Sequence, residues 1–177
     1  ANLQAKEVDI TAGNANLNGR ISRHTDRGKA KITHQNGVQS RDHQSGSSET
    51  YQATRVQTDQ FNVNVGGKLN ISGADIQAKN SNILGGNVHL GAEKTVNLRE
   101  HSKNQSKGSW YRNEQESNRV ETTHRTTIAG DSVNIEATKG KVTTEGAKVS
   151  AKTTAIYGEQ GVNLRGAKAT TTQTARA

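Results

Sequence analysis

A chain of 177 residues with a hydrophobic fraction of 29% has too few oily side chains for a broad compact core. Leu, Ile, Val and Phe total 29, which leaves either a disordered chain or a fold whose thin core repeats along an axis. The net charge of +8 favours polyanionic partners, and the absence of Cys excludes disulfides and thiolate metal sites.

Proline is absent too, which suits uninterrupted strand ladders. No apolar run approaches bilayer length and no signal stretch opens the chain. With no Met and an Ala-Asn-Leu start, the expectation is a fragment of a larger exoprotein, residues 1–177 forming one segment of it.

In chain order, the first strand signal is VDI at 8–10, an apolar–polar–apolar triplet beside small residues. Residues 19–60 are then polar, charged and nearly empty of aliphatics, and form a first excursion from the pattern. VNV at 63–65 and LNI at 69–71 resume it, followed by VHL at 88–90 and VNL at 96–98. Residues 99–127 form a second polar excursion, after which VNI at 133–135 and VNL at 162–164 complete the series. Both excursions have Thr-rich arms around turn-rich centres, which favours β-hairpins over loops.

Repetition decides against disorder. GKLNISGADIQAK at 67–79 returns as GKVTTEGAKVSAK at 140–152, with the Gly-Lys, Gly-Ala and Ala-Lys pairs identical. Gly166, Ala167 and Lys168 bring the frame back once more. Leu69 to Val88 is 19 residues and Val142 to Val162 is 20, an interval that predicts a parallel β-solenoid with about 20 residues per coil. VDITAGNANLNGR before the first excursion also resembles VHLGAEKTVNLRE before the second, 80 to 81 residues later, so two modules are expected.

The stretch REHSKNQSKGSW, the arm ETTHRTT and the continuation IAGDSVNIEATKGKVTTEGAKVSA resemble the haemagglutinin repeats of filamentous-haemagglutinin-like exoproteins of two-partner secretion. That group takes in adhesins, haemolysin-related proteins and contact-dependent growth-inhibition effectors. The likeness lies at 101–108, 122–135 and 146–151, with a looser copy at 41–79. It implies an all-β, right-handed parallel β-helix on the bacterial surface. It also implies an outer-membrane transporter as partner, engaged through a domain outside this segment.

The chemistry-bearing residues are sparse. Asp9, Asp75, Asp131, Glu136 and Glu145 stand alone in their coils, and Lys148 takes the place of Asp75 in the repeated frame, which argues against an acid–base pair. The six histidines show no metal-ligand spacing, and His89 is expected to face solvent. Asn64, Asn70, Asn97, Asn134 and Asn163 occupy triplet centres, where stacked amides form a ladder or simply face water. The remaining candidates are basic. Arg20, Arg23, Arg27, Lys29 and Lys31 crowd the first excursion, and Lys103, Lys107 and Arg112 flank Trp110 and Tyr111 in the second. Such a set suits a sulfated or anionic glycan; its bland alternative is a charge run that keeps a loop solvated.

The reading is a non-enzymatic, monomeric shaft segment without cofactor, metal, nucleic-acid partner or membrane insertion, presenting a distal adhesive or toxic tip outside the cell. The alternative makes the segment itself adhesive through its basic hairpins, and a third makes it a β-helical glycan-degrading enzyme.

Overall fold

A computed structural model describes residues 1–176, all of them in strands, turns or irregular backbone. The strands are β1 (Asn2–Gln4), β2 (Glu7–Ala12), β3 (Ala15–Asn18), β4 (Arg20–Thr33), β5 (Gln39–Gln52), β6 (Thr54–Ser72) and β7 (Ala74–Lys107). They continue with β8 (Trp110–Arg125), β9 (Thr127–Ala137), β10 (Val142–Glu145), β11 (Lys148–Gly158), β12 (Val162–Arg165) and β13 (Thr171–Arg176). The chain divides into two compact units. One holds Ala1–Arg20, Tyr51–Glu93 and Thr123–Lys168; the other holds Ile21–Thr50, Lys94–Thr122 and the segment from Ala169 onward.

The first unit is a parallel β-helix of five coils. Strands β1 to β3 make the first coil and β6 the second, with residues 74–91 of β7 the third. Strands β9 and β10 make the fourth coil, and β11 and β12 the fifth. The pairing aligns equivalent residues into columns, such as Ile10, Val63, Ile83, Ile135 and Ile156. Another column runs Ala15, Leu69, Val88, Val142 and Val162. The expected intervals of 19 and 20 residues are thus coil-to-coil steps. Period-two alternation sends these aliphatics inward, and ladder spacing stacks each on the next. Phe61, Ile71, Ile76, Ile83, Leu90, Ile128 and Ile135 lose all contact with solvent. The outer coils close less well: Leu3 is 42% exposed and Leu164 64%. A coil's few oily side chains are therefore buried by neighbouring coils rather than by its own fold.

Excursions leave and re-enter at one corner of the coil. Where there is none, a single glycine turns it: Gly73 between β6 and β7, with φ of 61°, and Gly146 between β10 and β11, with φ of 75°. Where there is one, the chain leaves after Asn18 or Gly91, which share a column through Ser72. It returns at Thr54 or Thr126. The Thr54 hydroxyl donates to the Asn18 carbonyl at 2.7 Å, and the Thr126 hydroxyl to the Gly91 carbonyl at 2.7 Å. The exit carbonyl is thus tied to the re-entry residue on both occasions. Tyr51 closes the corner further: its hydroxyl donates to the Gly73 carbonyl and its ring stacks on His124 at 3.9 Å.

Four expectations shift. The module offset is 72 or 73 residues rather than 80 to 81, because Ile10 stacks in register with Ile83 and Leu17 with Leu90. VNL at 96–98 belongs to the second unit, where Leu98 pairs antiparallel with Ser47. Residues 54–60, assigned by composition to the first excursion, form coil strand in β6. Inward Thr54, Val56 and Thr58 are buried there, while Arg55 and Gln57 face out, so the stretch looks polar although it stacks. The second excursion likewise starts at Lys94 and ends at Thr122, inside the expected span at its end and ahead of it at its start.

The second unit is a polar sheet ordered β4, β5, β7, β8, β13. Residues 39–47 of β5 pair antiparallel with 98–106 of β7, and β13 pairs antiparallel with 115–120 of β8. Turns at 34–38 and 108–109 close two hairpins, the first carried by a His34 N–H bond to Val38 and the second by Gly108 with φ of 55°.

Candidate interaction surface

Strand alternation sorts the cations of β4. Arg23, Arg27, Lys29 and Lys31 all have odd numbers and share one face, and the whole strand is exposed. Arg20 belongs to the β-helical unit instead. The hairpin register follows from its two ends, where His34 bonds Val38 and the Thr50 hydroxyl reaches the Ser22 carbonyl at 3.5 Å. That register sets Lys31 opposite Arg41 and Lys29 opposite His43. The four, with Asp42, Ser102 and Asn104, line a cleft of about 520 Å³. The His43 Nδ1 is buried without a partner. Arg41 and His43 escaped the sequence reading because only the pairing brings them beside Lys29 and Lys31.

The second candidate group gathers around the β7–β8 turn. Trp110 is 48% exposed and Tyr111 64%, the latter donating to Asn104 Oδ1 at 3.1 Å. The indole therefore projects substantially into solvent. Arg112 pairs with Glu114 at 2.6 Å, and Lys103 sits opposite Asp42, whose carboxylate lies 2.7 Å from His101. Lys107 is exposed. The two groups stay on different strands with β5 between them, so the ten named residues do not form one site. Among the described residues Arg23, Arg27, Lys29 and Lys31 make no ion pair, and neither do Lys103 and Lys107.

The β-helical unit arranges its charge differently. At one corner Lys79 contacts Asp59 at 2.7 Å and Lys152 contacts Asp131 at 2.8 Å. The hydrogen bond from Lys152 holds the Asp131 carboxyl below its ordinary range, and bonds to Asp59 and Asp131 push the Lys79 and Lys152 ammonium groups up. Asp and Lys alternate along this corner, an arrangement that balances charge and leaves no pair of carboxylates for acid–base work. Asp75 stacks between Arg55 and Thr127, with Lys148 next in the column. The five Asn of the triplet centres are divided among columns and units. Asn134 donates to Asn82 at 3.0 Å and Asn70 to Asn18 at 3.1 Å, so amide bonds between coils form, but as separate pairs. His89 is half-buried against the Thr143 hydroxyl at 3.1 Å rather than turned to solvent. Among the described residues no three His, Cys, Asp or Glu side chains are grouped to hold a metal ion.

A family model described as hemagglutinin repeat matches residues 11–108 and again 106–177. No curated protein matches the chain. No solved structure matches it either. The double match spans both hairpins and nearly every coil, and the family is structural and adhesin-like, typical of secreted or surface-exposed proteins. By fold, repeat and match together, this chain belongs to the hemagglutinin repeat family.

Proposed function

We propose that the chain is a shaft segment of a large secreted or surface exoprotein, holding a distal adhesive or toxic domain away from the cell. The observation that supports this reading is the in-register stacking of all five coils, whose columns continue from one module to the next. Such an array extends by adding identical contacts and needs no chemistry of its own. Contacts between neighbouring coils also allow folding coil by coil as the chain emerges from an outer-membrane transporter, the partner that export of this kind requires. The role is mechanical, outside the cell and not enzymatic.

A second reading rests on the same-face cations Arg23, Arg27, Lys29 and Lys31, which suit a sulfated glycan. Heparin chromatography across salt separates the two. The shaft reading expects elution below physiological ionic strength, where exposed charges are screened over about 8 Å. Retention at physiological salt that disappears when these four become Ser would make the segment itself adhesive.

A further inference from the structure

The chain holds two Asn-Gly dipeptides, Asn18-Gly19 and Asn36-Gly37, and the fold treats them in opposite ways. Asn is a thermolabile side chain, and a following Gly makes it more so, because no Cβ hinders the next amide nitrogen. That nitrogen can close a five-membered ring on the Asn Cγ if the peptide between the two residues is free to rotate. Both Asn side chains are exposed, so access to water does not separate them. Freedom to rotate does.

Asn18 ends β3, in register with Ser72 of β6. Its carbonyl accepts from the Thr54 hydroxyl at 2.7 Å and its Oδ1 from Asn70 at 3.1 Å. The Gly19 N–H donates to the Ser72 carbonyl at 2.8 Å, and Gly19 lies so close under the Tyr51 ring that a Cβ would overlap it. Turning this peptide requires opening a corner of the β-helix.

Asn36 sits in the turn at 34–38, where the Gly37 N–H gives up one bond, to the His34 carbonyl at 3.0 Å. Gly37 already has a φ of 78° and absorbs further rotation without side-chain strain. The Val38 N–H donates to Asn36 Oδ1 at 3.1 Å, which draws electrons from Cγ and favours attack there. The adjoining β7–β8 turn leaves the dipeptide uncovered: a Cβ on Gly37 would meet Lys107 Cε no closer than 3.9 Å. All the bonds that set this reactivity lie within the turn itself.

We propose that Asn36 is a self-modification site, at which the chain converts an amide to a carboxylate with water as the sole co-reactant, while the coil corner preserves Asn18. The Gly37 nitrogen loses its proton to solvent base and bonds to Asn36 Cγ; the Cγ–Nδ2 bond breaks and ammonia leaves with a proton from water. Water then opens the cyclic imide. Cleavage at Cγ gives Asp, and cleavage at the main-chain carbonyl gives the β-linked isomer, with no change of oxidation state. Either product lowers the net charge of +8 by one, at a hairpin tip beside Lys107. This goes beyond a shaft role, because it gives the segment a chemical change that accumulates with age.

The intact chain is incubated in mildly alkaline buffer, with and without urea, and digested with trypsin. Peptides 7–20 and 32–41 then report the two sites separately, fragmentation placing the carboxyl and its linkage. In the folded chain Asn36 should convert at least about tenfold faster than Asn18, whose reaction waits on local opening. In urea the two rates should converge. Cation exchange of the aged folded chain should show an early-eluting form that Asn36→Gln, which cannot close the same ring, abolishes. Equal rates at the two sites in the folded chain would overturn the proposal. So would a rate at Asn36 suppressed by folding as strongly as that at Asn18, or an early-eluting form that persists in Asn36→Gln.

Discussion

Gly73 illustrates how much one residue can decide. Its φ of 61° is costly for any residue with a side chain, and a Cβ there would meet the Tyr51 hydroxyl and the Glu93 side chain. Gly73→Ala is expected to cost about 1–3 kcal/mol, read as a lower urea midpoint. Gly13→Ala, whose Cβ meets nothing, should change it by less than about 0.5 kcal/mol. The same corner carries a pH signature. Burial against Tyr51 lowers the His124 pKa from its usual 6.5, so the imidazole binds a proton less readily folded than unfolded. The stability it contributes is whole above pH 6.5 and is lost as pH falls through that value toward the lowered one. Urea midpoints from pH 7.5 down to 5 should fall in the native chain and fall less steeply in His124→Phe, which keeps the stack without the titration.

At the scale of the element, columns rather than strands carry the energy. Ile83 lies mid-stack between Val63 and Ile135 and is fully buried, so Ile83→Ala removes contacts with two coils. It should cost about 2–5 kcal/mol in urea unfolding. Leu164→Ala, at a position 64% exposed on the fifth coil, should stay within about 0.5 kcal/mol. The thirteen-residue phrase that repeats at 67–79 and 140–152 is conserved between its copies at the corners, not along the flats. Gly67 and Gly140 sit at one corner, Gly73 and Gly146 at the next, and Lys79 and Lys152 at the third. Strand residues between them tolerate any inward aliphatic, which is why Leu69 can answer Val142. Corners have positive φ, tight approach or ion pairing to satisfy and admit fewer residues.

For the whole chain, register defines the module. Thr54 and Thr126 are re-entry residues 72 positions apart, so deleting residues 54–125 joins equivalent points and keeps every remaining column aligned. That variant should fold, give a β-type circular dichroism spectrum and unfold in urea with a smaller m-value, in proportion to the surface lost. Deleting 54–133, the 80-residue span suggested by sequence likeness, ends inside β9 and should yield a poorly structured chain. A folded product from the longer deletion and not the shorter would discredit the assigned register.

The sequence alone carried the class of the fold, because a 20-residue interval between alternating triplets has one economical solution: coils stacked so that each buries its neighbour's side chains. It also exposed the basic character of the hairpins. It did not locate the limits of the excursions, since in TRVQTDQ the outward polar residues mask inward Thr54, Val56 and Thr58. Nor did it mark Thr171–Arg176 as a strand, which pairs with residues 115–120 of β8, distant in the chain. Which cations share a face and which are neutralised depend on register between segments distant in the chain. Backbone pairing fixes that register, and composition carries no trace of it.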